Sequence, residues 1–204
     1  MKKIFIMIFI LFSIVNDVTT SQIKNVPDKK PDYLDDISYD VYLEQNFART
    51  KPKQYAQILK EIVDSKQMTN TEAVQEAIKF LEEVSPREPL ELSKEISRAG
   101  MDHVRDTGPT GLISHDGNDG SSPFDRMNRY GRWGSTAGEC ISYGMQTGRD
   151  IVLQLIIDEG VPSRGHRDNI FKVDFKICGV AYGIHSIYSS MCVIDYAGYY
   201  TPKK

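Results

Sequence analysis

Basic charge is in short supply in this chain. Its 25 lysines and arginines are outnumbered by 28 acids, and the formal net charge is −3. Residues 1–21 carry Lys2, Lys3 and Asp17, so the remainder stands at −4. Without a basic face, nucleic acid is not an expected partner. Long apolar runs are also missing. The run from Ile4 to Val15 falls short of the roughly 20 residues that a membrane span requires, and no later segment approaches that length. There is no internal repeat and no low-complexity tract. No Gly-x-Ser-x-Gly elbow is present, which removes the usual serine-hydrolase reading. Cysteine is limited to three, so at least one thiol stays outside any pair within the chain.

What is present begins with a basic start, a short apolar stretch and small polar residues near Thr19, Thr20 and Ser21. Together they predict a secretory signal peptide over 1–21, the alternative being an uncleaved N-terminal anchor. The charged, proline-punctuated stretch 22–36 reads as a flexible linker. One domain over 37–200 is expected, large enough for a full core. Export implies a secreted or extracellular location, or a periplasmic one for a bacterial protein.

The first half of that domain has helical rhythm. Val41, Leu43 and Phe47 mark one helix, and Pro52 suits the first turn of the next, which carries Tyr55, Ile58, Leu59 and Ile62. A third helix follows the capping residues near Thr69 to Thr71, and a fourth carries Leu92, Ile96 and Ala99 up to Gly108. The second half is rich in glycine, with β-like runs at 139–143, 175–182 and 191–196 and an apolar helix from Asp150 to Asp158. The pattern predicts an α+β fold, a three-layer α/β/α sandwich around a mainly antiparallel sheet. A hairpin centred near His185 would set Cys178 opposite Cys192, so a cross-strand disulfide is expected there. Cys140 is then the odd thiol, read as a small buried apolar side chain. His103 reads as a packed or rim histidine, His185 as an exposed turn residue.

Four residues stand out chemically: His115, Glu139, Asp158 and His166. Each lies beside a glycine turn or at a helix end, and each is of a type that binds a divalent metal or moves protons. Other pieces stand in a matching order around them. They are Asn46 to Arg49 with Pro52 and Tyr55, Leu90 and Leu92 before a helix ending in Met101-Asp102-His103, and Ser114-His115. Asp119-Gly120 to Arg126, Gly138-Glu139, Gly165-His166-Arg167-Asp168-Asn169 and Cys178-Gly179-Val180 follow. This ordered set resembles the CAP superfamily, also called the SCP domain, which includes cysteine-rich secretory proteins, antigen 5 and plant pathogenesis-related proteins. The form is nearer to the bacterial and protist branch, and the cysteine-rich C-terminal extension of the vertebrate members is absent.

The resemblance implies a cavity lined by two histidines and two acids. By motif match these are His115, Glu139 and His166, with Asp158 as the second acid and Glu159 as its competitor. Two imidazoles and a carboxylate suit zinc with a position left for water, and a bound metal would lower the pKa of that water. Without metal, a carboxylate–imidazole pair serves as base and acid, with Glu139 as the candidate catalytic group, and the third alternative is a polar network that fixes loops. Where the family commonly has Gly-Glu-Asn, this chain has Gly138-Glu139-Cys140. Strand alternation sends Cys140 to the face opposite Glu139, which argues against a cysteine hydrolase. Asp116, Asp119 and Ser121 lack the full calcium-loop pattern and read as turn formers. The expected function is a metal-assisted extracellular binding module for a lipid, glycan or protein. The alternatives are a metal-dependent, peptidase-like hydrolase and an interaction scaffold with a vestigial cavity.

Overall fold

The computed structural model describes residues 26, 27 and 29–204. The expected signal peptide lies outside the described residues. Seven helices and four strands occur among them: α1 (Asp36–Thr50), α2 (Pro52–Asp64), α3 (Glu72–Glu83), β1 (Glu91–Leu92), α4 (Lys94–Thr107), α5 (Pro123–Tyr130), β2 (Gly131–Tyr143), α6 (Gly148–Ile157), α7 (Gly165–Phe171), β3 (Ile177–His185) and β4 (Ser189–Pro202).

Most helices start where the sequence supplies a side-chain acceptor for the free N–H groups of the first turn. Asp35, Thr71, Ser93 and Thr147 accept from the backbone of Ser38, Val74, Ile96 and Asp150. At α5, Ser122 and Asp125 form a reciprocal capping box with Pro123 in the first turn. Helix α7 has no such cap and follows Arg164 in the left-handed region.

The strand order is β1-β3-β4-β2. Strands β2, β4 and β3 are antiparallel neighbours, while the two-residue β1 runs parallel to β3. The α+β three-layer sandwich is therefore realised. On one face Cys140, Cys178, Val180, Cys192, Ile194 and Tyr196 pack with apolar residues of α1, α2, α3, α6 and α7. On the other, Ile141, Ala181, Met191 and Val193 pack with Val104, and Ile96, Ala99 and Met127 with Ala197. Helix α4 lies so close to β3 that a Cβ on Gly179 would come within 2.1 Å of the Ser97 backbone nitrogen. Only glycine fits there.

A buried arginine ties the α1–α7 side together. Arg49 is 1 % exposed, and its guanidinium donates to the carbonyls of Glu88, Ile170, Lys172 and Phe175. Burial holds its pKa below the ordinary arginine value.

Two expectations need correction and one is narrowed. Cys178 and Cys192 do not face each other: Cys178 pairs with Tyr196 and Cys192 with Tyr182, and all three cysteines are free and buried. The turn centres on residue 187 rather than 185, because His185 still pairs with Ser189. A two-residue shift of the turn offsets the partners by four residues, roughly 13 Å at the strand rise, well past disulfide reach. His185 is buried, not exposed. Its Nδ1 accepts from the backbone N–H groups of Ile187 and Tyr188, so the ring closes the turn. The described part of the expected linker is docked: Val26 and Leu34 are buried, and Tyr39 donates to the Pro27 carbonyl.

Candidate functional site

Strand β2 is an edge strand, and the helical layers overhang it from both faces. Glu139 lies on it with its side chain 2 % exposed. Its Oε1 is 2.7 Å from His115 Nδ1, and its Oε2 accepts from Arg126 at 2.7 Å. Arg126 also donates to the carbonyls of His115 and Ser121, so one buried guanidinium fixes both the carboxylate and the loop carrying its histidine.

The second pair sits at the end of α6. Asp158 caps that helix with φ +53°, a conformation that Asp tolerates better than most side chains. The turn aims its carboxylate at the start of α7, where Oδ1 is 2.7 Å from His166 Nδ1 and Oδ2 accepts the His166 backbone N–H at 2.9 Å. Asp158 thus holds His166, and its competitor Glu159 is exposed beside it. The Glu76 carboxylate clamps Arg164 and Arg167 around this turn, and those two guanidinium groups hold it down at about 2. Arg167 and Asn169 fix the loop as expected: Arg167 donates to the carbonyls of Ile156 and Ile157, Asn169 to that of Glu139.

The four expected residues therefore form two histidine–carboxylate pairs. Among the described residues no three His, Cys, Asp or Glu side chains converge to hold a metal ion. Each oxygen of both carboxylates accepts a hydrogen bond within the protein, and both side chains are buried. With Nδ1 bound to a carboxylate, Nε2 of each imidazole has no protein partner among the described residues. What the set offers a ligand is two imidazole nitrogens, each ring oriented by a carboxylate behind it.

Cys140 is fully buried against the His166 carbonyl, and burial drives its thiol far above the usual range, so it is no nucleophile. His103 is buried with Nε2 against the Ser114 carbonyl, and burial lowers its pKa. The hydrogen bond to Glu139 raises that of His115 against an opposing burial effect. Proton NMR titration should therefore find His115 above 6.5 and His103 below it. In Glu139→Gln the His115 midpoint should fall. The sign for stability follows: the His115 pair contributes fully below the unfolded pKa of about 6.5 and is lost as pH rises through the higher folded value.

One residue of the site escaped the sequence reading. Asp195 of β4 faces Glu139 directly across the β2–β4 ladder and is 0 % exposed. No protein donor lies beside either of its oxygens, and the neighbouring Glu139 carboxylate can only accept. Burial and that negative charge push its pKa well above the carboxylate range. A proton on Asp195 converts the clash into a hydrogen bond to Glu139.

Beside the second pair opens a cleft of about 640 Å³, walled by residues such as Val74, Ile113, Ile141, Leu155, Val161 and Tyr188; His166 and Asp158 line it, whereas His115 and Glu139 are not among its lining residues. The profile of the cysteine-rich secretory protein family, CAP, matches residues 85–196, a span that contains all four expected site residues and Asp195. An uncharacterized protein of Bacillus subtilis (strain 168), YkwD, is 27 % identical over 137 residues, covering 67 % of this chain. The chain spans about half, 47 %, of that relative's length. An outer surface protein from Borrelia burgdorferi is a structural relative with TM-score 0.43 and 13 % identity, over 72 % of this chain and 91 % of that one. An extracellular protein containing a SCP domain from Bacillus anthracis str. Ames gives TM-score 0.42 and 21 % identity, over 54 % of this chain and 34 % of its own.

Proposed function

The chain belongs to the cysteine-rich secretory protein (CAP) family, and on that premise we propose that it is an exported binding module whose ligand occupies the cleft beside His166. The leader-like N-terminus supports export. The observation that carries the reading is the commitment of both carboxylates. Glu139 is held by His115 and Arg126, and Asp158 by the His166 ring and backbone, so every oxygen of the two buried carboxylates already accepts a protein hydrogen bond. The same geometry favours binding over hydrolysis and speaks against Glu139 as a general base. It fixes the imidazoles and leaves Nε2 to meet a ligand.

A divalent metal such as zinc would be held through Nε2 of His115 and His166, with Glu139 and Asp158 orienting the rings behind them. Its chemistry there would be that of a Lewis acid toward an oxygen or nitrogen of the bound ligand. In calorimetric zinc titration, His115→Ala/His166→Ala should abolish binding. Glu139→Gln should weaken it about 10–100-fold without abolishing it, the behaviour of an orienting group.

The cleft itself is tested with Nile red, a neutral apolar dye. The protein should bind it at a single site with enhanced fluorescence, and Val161→Trp at the cleft wall should weaken that binding at least tenfold. Dye binding that is absent, or indifferent to this substitution, would refute the cleft as the binding site.

A further inference from the structure

We infer that the cleft takes an extended peptide segment in which a lysine or arginine is flanked by apolar side chains. The inference rests on the reading of the cleft as the binding site and names the occupant. Three features of the wall select it.

The first is charge. The lining includes Asp150, Asp158 and Glu159 and neither lysine nor arginine. Asp158 is committed to His166; Asp150, which accepts from the Thr147 hydroxyl through one oxygen, and Glu159 are both exposed. A cationic group entering there meets two carboxylates, and an anionic one is repelled.

The second is aromatic. Tyr143 and Tyr188 line the cleft and form one continuous wall with His185, at centroid separations of 5.0–5.6 Å. Ring faces attract ammonium and guanidinium groups. Apolar surface continues outward from the mouth. Ile113 and Tyr188 are 54 % and 45 % exposed, and the more exposed Ile187 precedes Tyr188 on the hairpin turn.

The third is the β2 edge, which turns a cationic amphiphile into a peptide. The Gly144 N–H donates to the Ser190 carbonyl in the register that joins Ser142 to Cys192 and Cys140 to Ile194. Even-numbered residues of this stretch therefore point their backbone groups at β4, and odd-numbered ones point them off the edge. Two edge carbonyls are taken by side chains: Asn169 donates to Glu139 and Gln154 to Tyr143. Between them Ile141 lines the cleft, and its edge-facing N–H and C=O are assigned no protein partner among the described residues. Ile141 is only 7 % exposed, and backbone groups that deep are nearly always paired. A residue of an extended chain supplies both a donor and an acceptor at that spacing, as in strand addition to a sheet edge. A lipid chain supplies neither.

The test is displacement of Nile red from the full chain by an N-acetylated, C-amidated hexapeptide alternating leucine and lysine. Its glutamate counterpart and phosphatidylcholine vesicles are run in parallel. The lysine peptide should displace the dye at least tenfold more effectively than the glutamate peptide, and more weakly as salt is raised. Asp150→Asn/Glu159→Gln should cut its affinity at least tenfold, a larger loss than any it causes in dye binding. Glu159→Lys alone, at an exposed position, gives the same direction of effect with no burden on folding. Equal displacement by both peptides, no displacement by either, or displacement by the vesicles alone would overturn the inference. Failure of the dye to bind at all would instead remove the cleft reading beneath it.

Discussion

Arg126→Ala is expected to lower the unfolding free energy by about 3–5 kcal/mol, because it leaves the buried Glu139 carboxylate without its counter-charge. The loss is not confined to one ion pair. The same guanidinium donates to the carbonyls of Ser121 and His115, so the loop from 115 to 121 loses its anchor in the same step. Urea unfolding followed by far-UV circular dichroism measures the change. Arg126→Lys keeps a charge but not the planar fork that reaches three acceptors, and should fall between the two. Arg126→Met/Glu139→Gln should recover part of the loss, since it removes both buried charges together. If Arg126→Ala were as stable as the parent, the ion pair would have no structural weight and the account of the His115 loop would be wrong.

The second large effect runs the other way. Asp195→Asn should stabilise the protein at neutral pH. In the folded chain burial and Glu139 hold the Asp195 proton well above the pH at which an unfolded aspartate releases it. Folding therefore takes up a proton once pH exceeds the unfolded value of about 3.9, and stability declines as pH rises toward the folded pKa. The slope is roughly 1.4 kcal/mol for each pH unit. Asparagine keeps a donor for Glu139 and cannot ionise, so that slope disappears. The melting temperature of Asp195→Asn should exceed the parent's at pH 7, with the gap closing as pH approaches 4. The charged groups that act on Asp195 are Glu139, which raises its pKa, and Arg126, which opposes that rise. An unchanged gap across this range would mean that Asp195 is ionised in the folded state.

The sequence made some of this molecule visible for definite physical reasons. Helix starts were legible at Thr71 and Pro52 because a capping hydroxyl and a proline in the first turn act locally. His115, Glu139 and His166 were legible from the short motifs around them, Ser114-His115, Gly138-Glu139 and Gly165-His166, although Glu139 stands within β2 with its side chain buried rather than at a turn. Asp158 was legible as a helix-end acid, although its preference over Glu159 depends on a left-handed turn that periodicity does not reveal. Asp195 stayed hidden because β4 is buried on both faces through Met191 to Ala197, and an alternation rule has no solvent side to work from. Arg49 and Arg126 stood in the sequence only as the ends of two matching pieces, and their roles were hidden for the opposite reason. Arginine in a helix reads as a surface residue, and only the assembled fold brings carbonyls and a carboxylate around each one. The disulfide expectation failed on a two-residue error in the turn, since register depends on where a hairpin reverses.

That register has a consequence for how the protein is made. With Cys140, Cys178 and Cys192 all free inside the core, no covalent bond holds the hairpin to itself or to the helices. Packing, hydrogen bonds and ion pairs close the fold. The chain thus needs no oxidant and no thiol exchange to reach its native state, and a reducing compartment offers it the same fold as an oxidising one.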